Sequence, residues 1–285
     1  MHSLLFVPSD SDRKLQNSIL SGADLLILDL EDSVPMERKS AGRSLARQFI
    51  ASHRGAGPLL YVRVNDLSTG LTEEDLAEVM EAEPAGIMLP KCNSFEDIER
   101  LSDRLNFYEA MHGLGVGTTR IIPIITETPV AVFNSASFGR VHPRVLGVTW
   151  GAEDLSAEVG AQETRDGSGA YTDLFRLARS KTLLVAAAAE AMAIDTVFPD
   201  FHDSEGFRRD CLEAVRDGFS ARMAIHPRQV PTINEIFRPS ADAIANARLI
   251  VEAFEKAGNP GVVAVNGKMY DRPHLKRARR ILMRD

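Results

Sequence analysis

The feature that most constrains this chain is an eightfold alternation of short apolar runs with longer amphipathic stretches. The runs are residues 4–8 (LLFVP), 25–31 (LLILDLE), 59–64 (LLYVRV), 86–91 (GIMLPK), 120–126 (RIIPIIT), 145–151 (VLGVTWG), 195–198 (DTVF) and 221–227 (ARMAIHP). Helical patterns fall between them at 12–21, 36–53, 73–82, 94–112, 172–193 and 203–218. Thr72 and Ser94, each followed by early acids, read as helix N-caps, because a small hydroxyl accepts a backbone N–H while acids suit the positive helix end. Strand–helix alternation argues a parallel sheet, and eight units predict that the sheet closes into a (β/α)8 TIM barrel. A doubly wound open sheet would show a glycine-rich first strand-to-helix turn, and here that turn reads VPSDSD. The barrel is expected to fill residues 1–238. Residues 239–285 differ in kind: a long helix from about Ser240 to Ala257, a hairpin turning at Asn266-Gly267, and a basic helix from His274 to Arg284.

A barrel of this type places its chemistry at the C-terminal ends of its strands. Polar residues gather there: Asp29, Glu31 and Asp32 end strand two, strand three carries Arg63, and strand four ends at Lys91. Strand five ends at Glu127, strand six runs into Glu153-Asp154, and strand eight into His226. Each carboxylate buried without a partner costs roughly several kcal/mol, so three at one strand end require a cation, a basic neighbour or a catalytic task. Glu127 and Asp154 follow successive strands and are expected side by side. Hard oxygen donors without a cysteine or histidine cluster suit magnesium or manganese better than zinc. A salt-bridge network among Glu127, Asp154, Arg63 and Lys91 is the competing reading, and spacing does not choose between them. Arg63 either offers its planar fork to a substrate carboxylate or enolate oxygen, or pairs with the strand-two acids. Lys91 adds positive charge to the rim. The glycine loop GLGVGTTR (113–120) precedes a strand, so it reads as a plain connection, and His226 reads as a rim or helix-start residue.

Charge and cysteine usage narrow the setting. The net charge of −7 excludes a general nucleic-acid binder, which needs a basic surface. Cys92 and Cys211 have no CxxC spacing, which excludes a disulfide framework and fits a reducing compartment. No apolar run approaches the roughly 20 residues of a membrane span, and LLFVP is too short for a signal segment. A cytoplasmic location is expected.

Several blocks carry a specific resemblance. LFVPSDSDRKLQNSILSGADLLILDLEDSV, VRVND, GIMLPK, ITETP, GAEDLSAEVGA, FPDFHDSEGF, AIHPRQVPTINEIFRPS and NGKMYDRPHLKRAR resemble, in order and over nearly the whole chain, the citrate lyase β-subunit-like proteins of the HpcH/HpaI aldolase group. The resemblance implies a TIM barrel whose C-terminal extension packs on a neighbouring subunit, often in a trimer. It implies magnesium and cleavage or formation of the C–C bond of a 3-hydroxyacyl thioester, of the malyl, citramalyl or citryl type, with an oxo acid as the other partner. Residue by residue, Glu127 and Asp154 match the metal ligands, Arg63 the substrate arginine, and Glu31 with Asp32 the acidic pair of the site. Asp271 matches an aspartate offered to the adjacent subunit; Asp271 or Asp32 is the expected base. Where many relatives read Pro-Gly-Asn-Arg-Pro-Arg, this chain has Pro8-Ser9-Asp10-Ser11-Asp12-Arg13 and keeps only the second arginine. That departure leaves open whether coenzyme A or an acyl-carrier protein bears the thioester. An aldolase of free 4-hydroxy-2-oxo acids, a thioester hydrolase or synthase, and a non-catalytic coenzyme A-binding subunit are the rival readings.

Overall fold

In the computed structural model, which describes residues 1–283, the apolar runs form parallel strands. These are β1 (Ser3–Pro8), β2 (Leu25–Asp29), β3 (Leu59–Arg63), β4 (Gly86–Leu89), β5 (Arg120–Pro123), β6 (Gly147–Val148), β7 (Met192–Asp195) and β8 (Ala221–Ala224). The helices between and after them are α1 (Asp12–Ser18), α2 (Lys39–His53), α3 (Leu71–Val79), α4 (Phe95–Met111), α5 (Pro129–Phe133), α6 (Ala152–Val159), α7 (Asp173–Ala188), α8 (Ser204–Asp217) and α9 (Val230–Phe237). The strands lie in the order β5-β4-β3-β2-β1-β8-β7-β6. The two outer strands meet through the parallel bridges Ile121↔Val145 and Ile124↔Thr149, so the sheet closes into a (β/α)8 barrel. Strands in such a sheet are covered on both faces. All five residues of β2 are buried, which is why its sequence shows an apolar run instead of an alternation.

Three local expectations are corrected. Strand seven is Met192–Asp195, not 195–198, and the helix expected over 172–193 ends at Ala188. The alanine-rich stretch 186–191 has high helix propensity. Glu190 nevertheless takes a left-handed φ of 54° that breaks the helix, and Met192 pairs with Gly147 of β6. Thr72 is not a cap: α3 starts at Leu71 behind Gly70, and the Thr72 hydroxyl donates to the carbonyls of Asn65 (2.9 Å) and Asp66 (3.0 Å). Ser94 holds the N-cap position of α4, but its side chain makes no capping bond to that helix.

At the N-terminal end of the barrel, the glycine loop joins α4 to β5 and wraps an internal anion. The Glu109 carboxylate accepts the backbone N–H groups of Gly117 (2.7 Å) and Thr119 (2.8 Å) and both terminal nitrogens of Arg144 (2.8 and 2.6 Å).

The chain divides into two units, His2–Asn234 and the segment from Glu235 onward. The second unit contains α10 (Ala241–Lys256), β9 (Val262–Val265), β10 (Lys268–Asp271) and α11 (Arg272–Leu282). Its hairpin turns on Asn266 (φ 50°) and Gly267 (φ 75°), the left-handed pair that a two-residue turn of type I′ demands. Ala247, Ile250 and Phe254 of α10 bury against Val263, Leu275 and Ala278, so the extension has a small core of its own. The basic helix starts at Arg272, two residues before its expected start, because Asp271 caps it; Arg284 lies outside the described residues. Among the described residues no helix is long and apolar enough to cross a membrane.

Candidate active site

Leu25 and Leu59 pair at the start of β2 and β3, so Asp29 and Arg63, each the fifth residue of its strand, are register partners. In-register residues of a parallel sheet share a face, and here they meet as a fork. Arg63 Nε donates to Asp29 Oδ1 at 2.7 Å and Nη2 to Oδ2 at 2.8 Å. Asp29 also accepts the N–H groups of Glu31 (3.0 Å) and Ser33 (3.2 Å). Burial alone would raise the Asp29 carboxyl, yet the Arg63 guanidinium outweighs it and holds the group below the usual range. The remaining guanidinium nitrogen of Arg63, Nη1, lies 2.9 Å from Glu31 Oε2. Pairing with the strand-two acids is thus what Arg63 does in this structure. The Phe6 ring centre lies 4.8 Å from the guanidinium carbon.

Lys91, beyond the end of β4, has a left-handed φ of 46°. For a residue with a Cβ this conformation costs on the order of 1 kcal/mol. It lets one residue grip two acids. The Lys91 backbone N–H donates to Glu127 Oε2 at 2.5 Å, while its ammonium pairs with Glu31 and lies 3.5 Å from both Asp32 Oδ2 and Asp154 Oδ1. Glu127 is buried, and Gly151, at the start of the turn after β6, passes directly against it: a Cβ at Gly151 would sit 2.6 Å from Glu127 Cγ. Asp154 stands in the first turn of α6, where the helix dipole favours a negative charge.

The electrostatics are those of a cation site. Burial, and then the nearby charges of Asp154 and Glu31, hold the Glu127 carboxyl well above its ordinary value. Glu31 is pushed up to about 7 by burial, against the pull of Arg63 and Lys91. Five carboxylates (Asp29, Glu31, Asp32, Glu127, Asp154) share three cations: Arg63, Lys91, and Lys39, whose ammonium donates to the Leu30 and Glu31 carbonyls; Asp29 is committed to Arg63. A divalent cation between Glu127 and Asp154 relieves that excess. Among the described residues no three acidic, histidine or cysteine side chains converge as a metal-binding group. The protein donors would be two carboxylates, with water and substrate oxygens completing the shell, as magnesium commonly has it. The residues fit such an ion.

Asp32 is the exposed member of this cluster. Arg13 stands exposed in the first turn of α1 and makes no ion pair with another described residue. Asp271, in the second unit, caps α11: it accepts the His274 N–H at 3.3 Å, and His274 Nδ1 lies 2.5 Å from its Oδ1, which lowers its carboxyl. His226 opens a short 3-10 turn, its Nδ1 accepting the N–H of Arg228 at 3.1 Å, and its ring stacks on Phe201. Sequence reasoning counted Asp29 among the strand-two acids but gave it no role of its own in the site; its fork with Arg63 rests on the register of β2 and β3.

With this geometry described, the likeness to known proteins is informative. The profile of the family described as HpcH/HpaI aldolase/citrate lyase matches residues 2–227. The citrate lyase subunit beta of Leuconostoc mesenteroides subsp. cremoris is 30% identical over 282 residues, 98% of this chain and 91% of that protein. The human mitochondrial citramalyl-CoA lyase is 30% identical over 288 residues, 97% of this chain and 83% of that protein. The crystal structure of CitE from Mycobacterium tuberculosis in complex with magnesium, acetoacetate and coenzyme A superposes with a TM-score of 0.75 at 30% identity, covering 99% of this chain and 97% of that one.

Proposed function

The chain belongs to the HpcH/HpaI aldolase/citrate lyase family and is a magnesium-dependent carbon–carbon lyase working on a coenzyme A thioester; on that premise we propose that it cleaves or forms a 3-hydroxyacyl thioester of the malyl, citramalyl or citryl type. The products of cleavage are an acyl thioester and a small oxo acid. The observation that carries this reading is the meeting of Glu127, Asp154 and Lys91 at one end of the barrel, around an Arg63 already fixed by Asp29.

Glu127 and Asp154 hold the magnesium ion, with manganese as a substitute. When bound, the ion neutralises the carboxylate pair and acidifies a hydroxyl placed beside it. Arg63 is the fixed positive charge. Because Asp29 occupies its fork, it needs no reorganisation to meet negative charge developing on an enolate or carboxylate oxygen. Lys91 and Glu31 hold each other, and Lys91 also orients Glu127 through its backbone N–H. Arg13 receives the anionic arm of the thioester. Asp32 or the partner's Asp271 takes the hydroxyl proton.

The second unit then docks on a neighbouring copy in a trimer or a multiple of one, and the enzyme works in the cytoplasm. Free, buried Cys92 and Cys211 support the latter. Mixing Asp271→Ala with Glu127→Gln chains tests the sharing: recovered activity supports it, and none in verified mixed oligomers counts against it. The substrate test is mass spectrometry of the purified enzyme with magnesium and malyl-, citramalyl- and citryl-thioesters of coenzyme A and of acyl-carrier protein. Matched acyl thioester and oxo acid are expected. Free thiol without an acyl thioester would indicate hydrolysis, and cleavage of free 4-hydroxy-2-oxo acids alone would overturn the thioester reading.

A further inference from the structure

β6 is the shortest strand of the barrel, Gly147 and Val148 alone. Its two bridges to β5 are out of step, with two residues between Ile121 and Ile124 matched to three between Val145 and Thr149. Yet the turn leaving this strand passes Gly151 against Glu127 and carries Asp154. Thr149, which follows this strand, is the last residue here whose backbone bonds to β5, so the ladder stops short of the turn.

The residue before Gly151 is Trp150, fully buried, whose indole N–H donates to Asp195 Oδ1 at 2.8 Å. Asp195 ends β7 and is the register partner of Arg222 in β8. The buried Arg222 guanidinium lies 3.3 Å from Asp195 Oδ2 and 2.5 Å from Asp210 Oδ2 on α8. Arg165 takes the other Asp210 oxygen at 2.9 Å and stacks 3.6 Å over the Tyr171 ring. Tyr171 stands edge-on to Trp150 at 5.1 Å, which closes the circuit. The contact with α8 puts Arg222 and its in-register neighbour Asp195 on the helix-covered face of the sheet. Hydrogen bonds to charged acceptors are the stronger kind, and the one from Trp150 ties the chain leaving β6 to the end of β7.

We propose that this closed ring of six side chains, acting through the Trp150–Asp195 hydrogen bond, positions the Gly151–Asp154 turn and thereby sets the metal affinity of the Glu127–Asp154 pair. The inference rests on that pair being the magnesium ligands. Trp150 is a positioning residue here: it touches neither substrate nor metal.

The chain has a single tryptophan, so its fluorescence reports on this ring alone. Magnesium and manganese are titrated into the full chain, followed by calorimetry and by tryptophan fluorescence. The fluorescence should change along the calorimetric binding curve and stay flat in Asp154→Asn. Trp150→Phe, which removes the N–H, should bind metal about 10-fold more weakly with an unchanged circular dichroism spectrum. Asp195→Asn, which keeps an acceptor but loses its charge, should fall between. Wild-type affinity in a folded Trp150→Phe protein, or flat wild-type fluorescence while calorimetry records binding, overturns the positioning role. If Trp150→Phe does not fold, the wild-type fluorescence decides. No calorimetric binding in the wild type removes the ligand pair itself, and the inference with it.

Discussion

The barrel buries glutamates beside arginines at both ends, and the two ends treat them in opposite ways. At the base, burial would raise the Glu109 carboxyl, but Arg144 and the N–H groups of Thr119 and Gly117 outweigh it and pull the group down to about 2. At the mouth, Glu31 also faces an arginine, yet it is pushed up to about 7, and Glu127 is held higher than its ordinary value. The difference lies in the donors. Glu109 has its two oxygens covered by four N–H bonds. Arg63 has spent its fork on Asp29, so Glu31 has one Arg63 nitrogen and the Lys91 ammonium, and Glu127 has like-charged neighbours. A satisfied carboxylate contributes stability. An under-satisfied one is destabilising alone and keeps capacity for a ligand.

The sharpest way to break the comparison is to remove charge at the mouth. Glu127→Gln and Asp154→Asn should each abolish metal-dependent turnover, while the metal-free protein becomes no less stable, because repulsion between the two carboxylates is gone. Metal titration and thermal melts read both; unaltered metal affinity in either variant would sink the ligand assignment. Next, Arg63→Ala should lower turnover by about 100-fold, as for the loss of one transition-state charge stabiliser. Arg63→Lys should recover little, since an ammonium cannot replace the fork held by Asp29. Wild-type steady-state kinetics would take Arg63 out of the reaction.

A smaller effect is expected from Gly151→Ala. The added Cβ must push against Glu127, and a carboxylate displaced by under an ångström should cost about 10-fold in turnover, with a raised metal requirement; kinetics at saturating and limiting magnesium separate the two. The smallest effect on turnover belongs to the base. Glu109→Gln should leave kinetics unchanged but cost about 3 kcal/mol of stability at neutral pH, as for the loss of one partner of a buried ion pair. The sign follows from a folded-state pKa below the ordinary 4.5: the stabilisation is complete above about 4.5 and is lost as pH falls through about 2. Glu31 has the opposite sign, its contribution being complete below 4.5 and lost as pH rises through about 7. Denaturant melts of wild type and Glu109→Gln across pH 2–7 should converge at the acid end, and parallel curves would contradict the assignment.

The barrel was legible because its signal is long-period: eight apolar runs and the helices between them survive errors of several residues at each boundary. The misplaced seventh strand shows where that fails. In AAAEAMAIDTVF, propensity continues the helix, and only pairing with Gly147 fixes where the strand begins. At the site, the clustering of Glu31, Lys91, Glu127 and Asp154 followed from their places at strand ends. The Asp29–Arg63 fork did not, because it depends on register between strands, which a single sequence does not state. The left-handed backbone of Lys91 was equally hidden, since its residue type gives no hint of it.

The bridges between β5 and β6 close the sheet, and Glu127 and Asp154 lie on either side of that seam. Assembly of the carboxylate pair and completion of the ring are therefore one event in folding. A chain that lacks the β5–β6 junction holds each acid but not the pair, so under the proposed ligand assignment a cation would select only the finished topology. It then stabilises that state by mass action. In refolding, metal uptake should appear with the slowest long-range phase, and uptake during early collapse would show that the two acids can meet before the seam shuts.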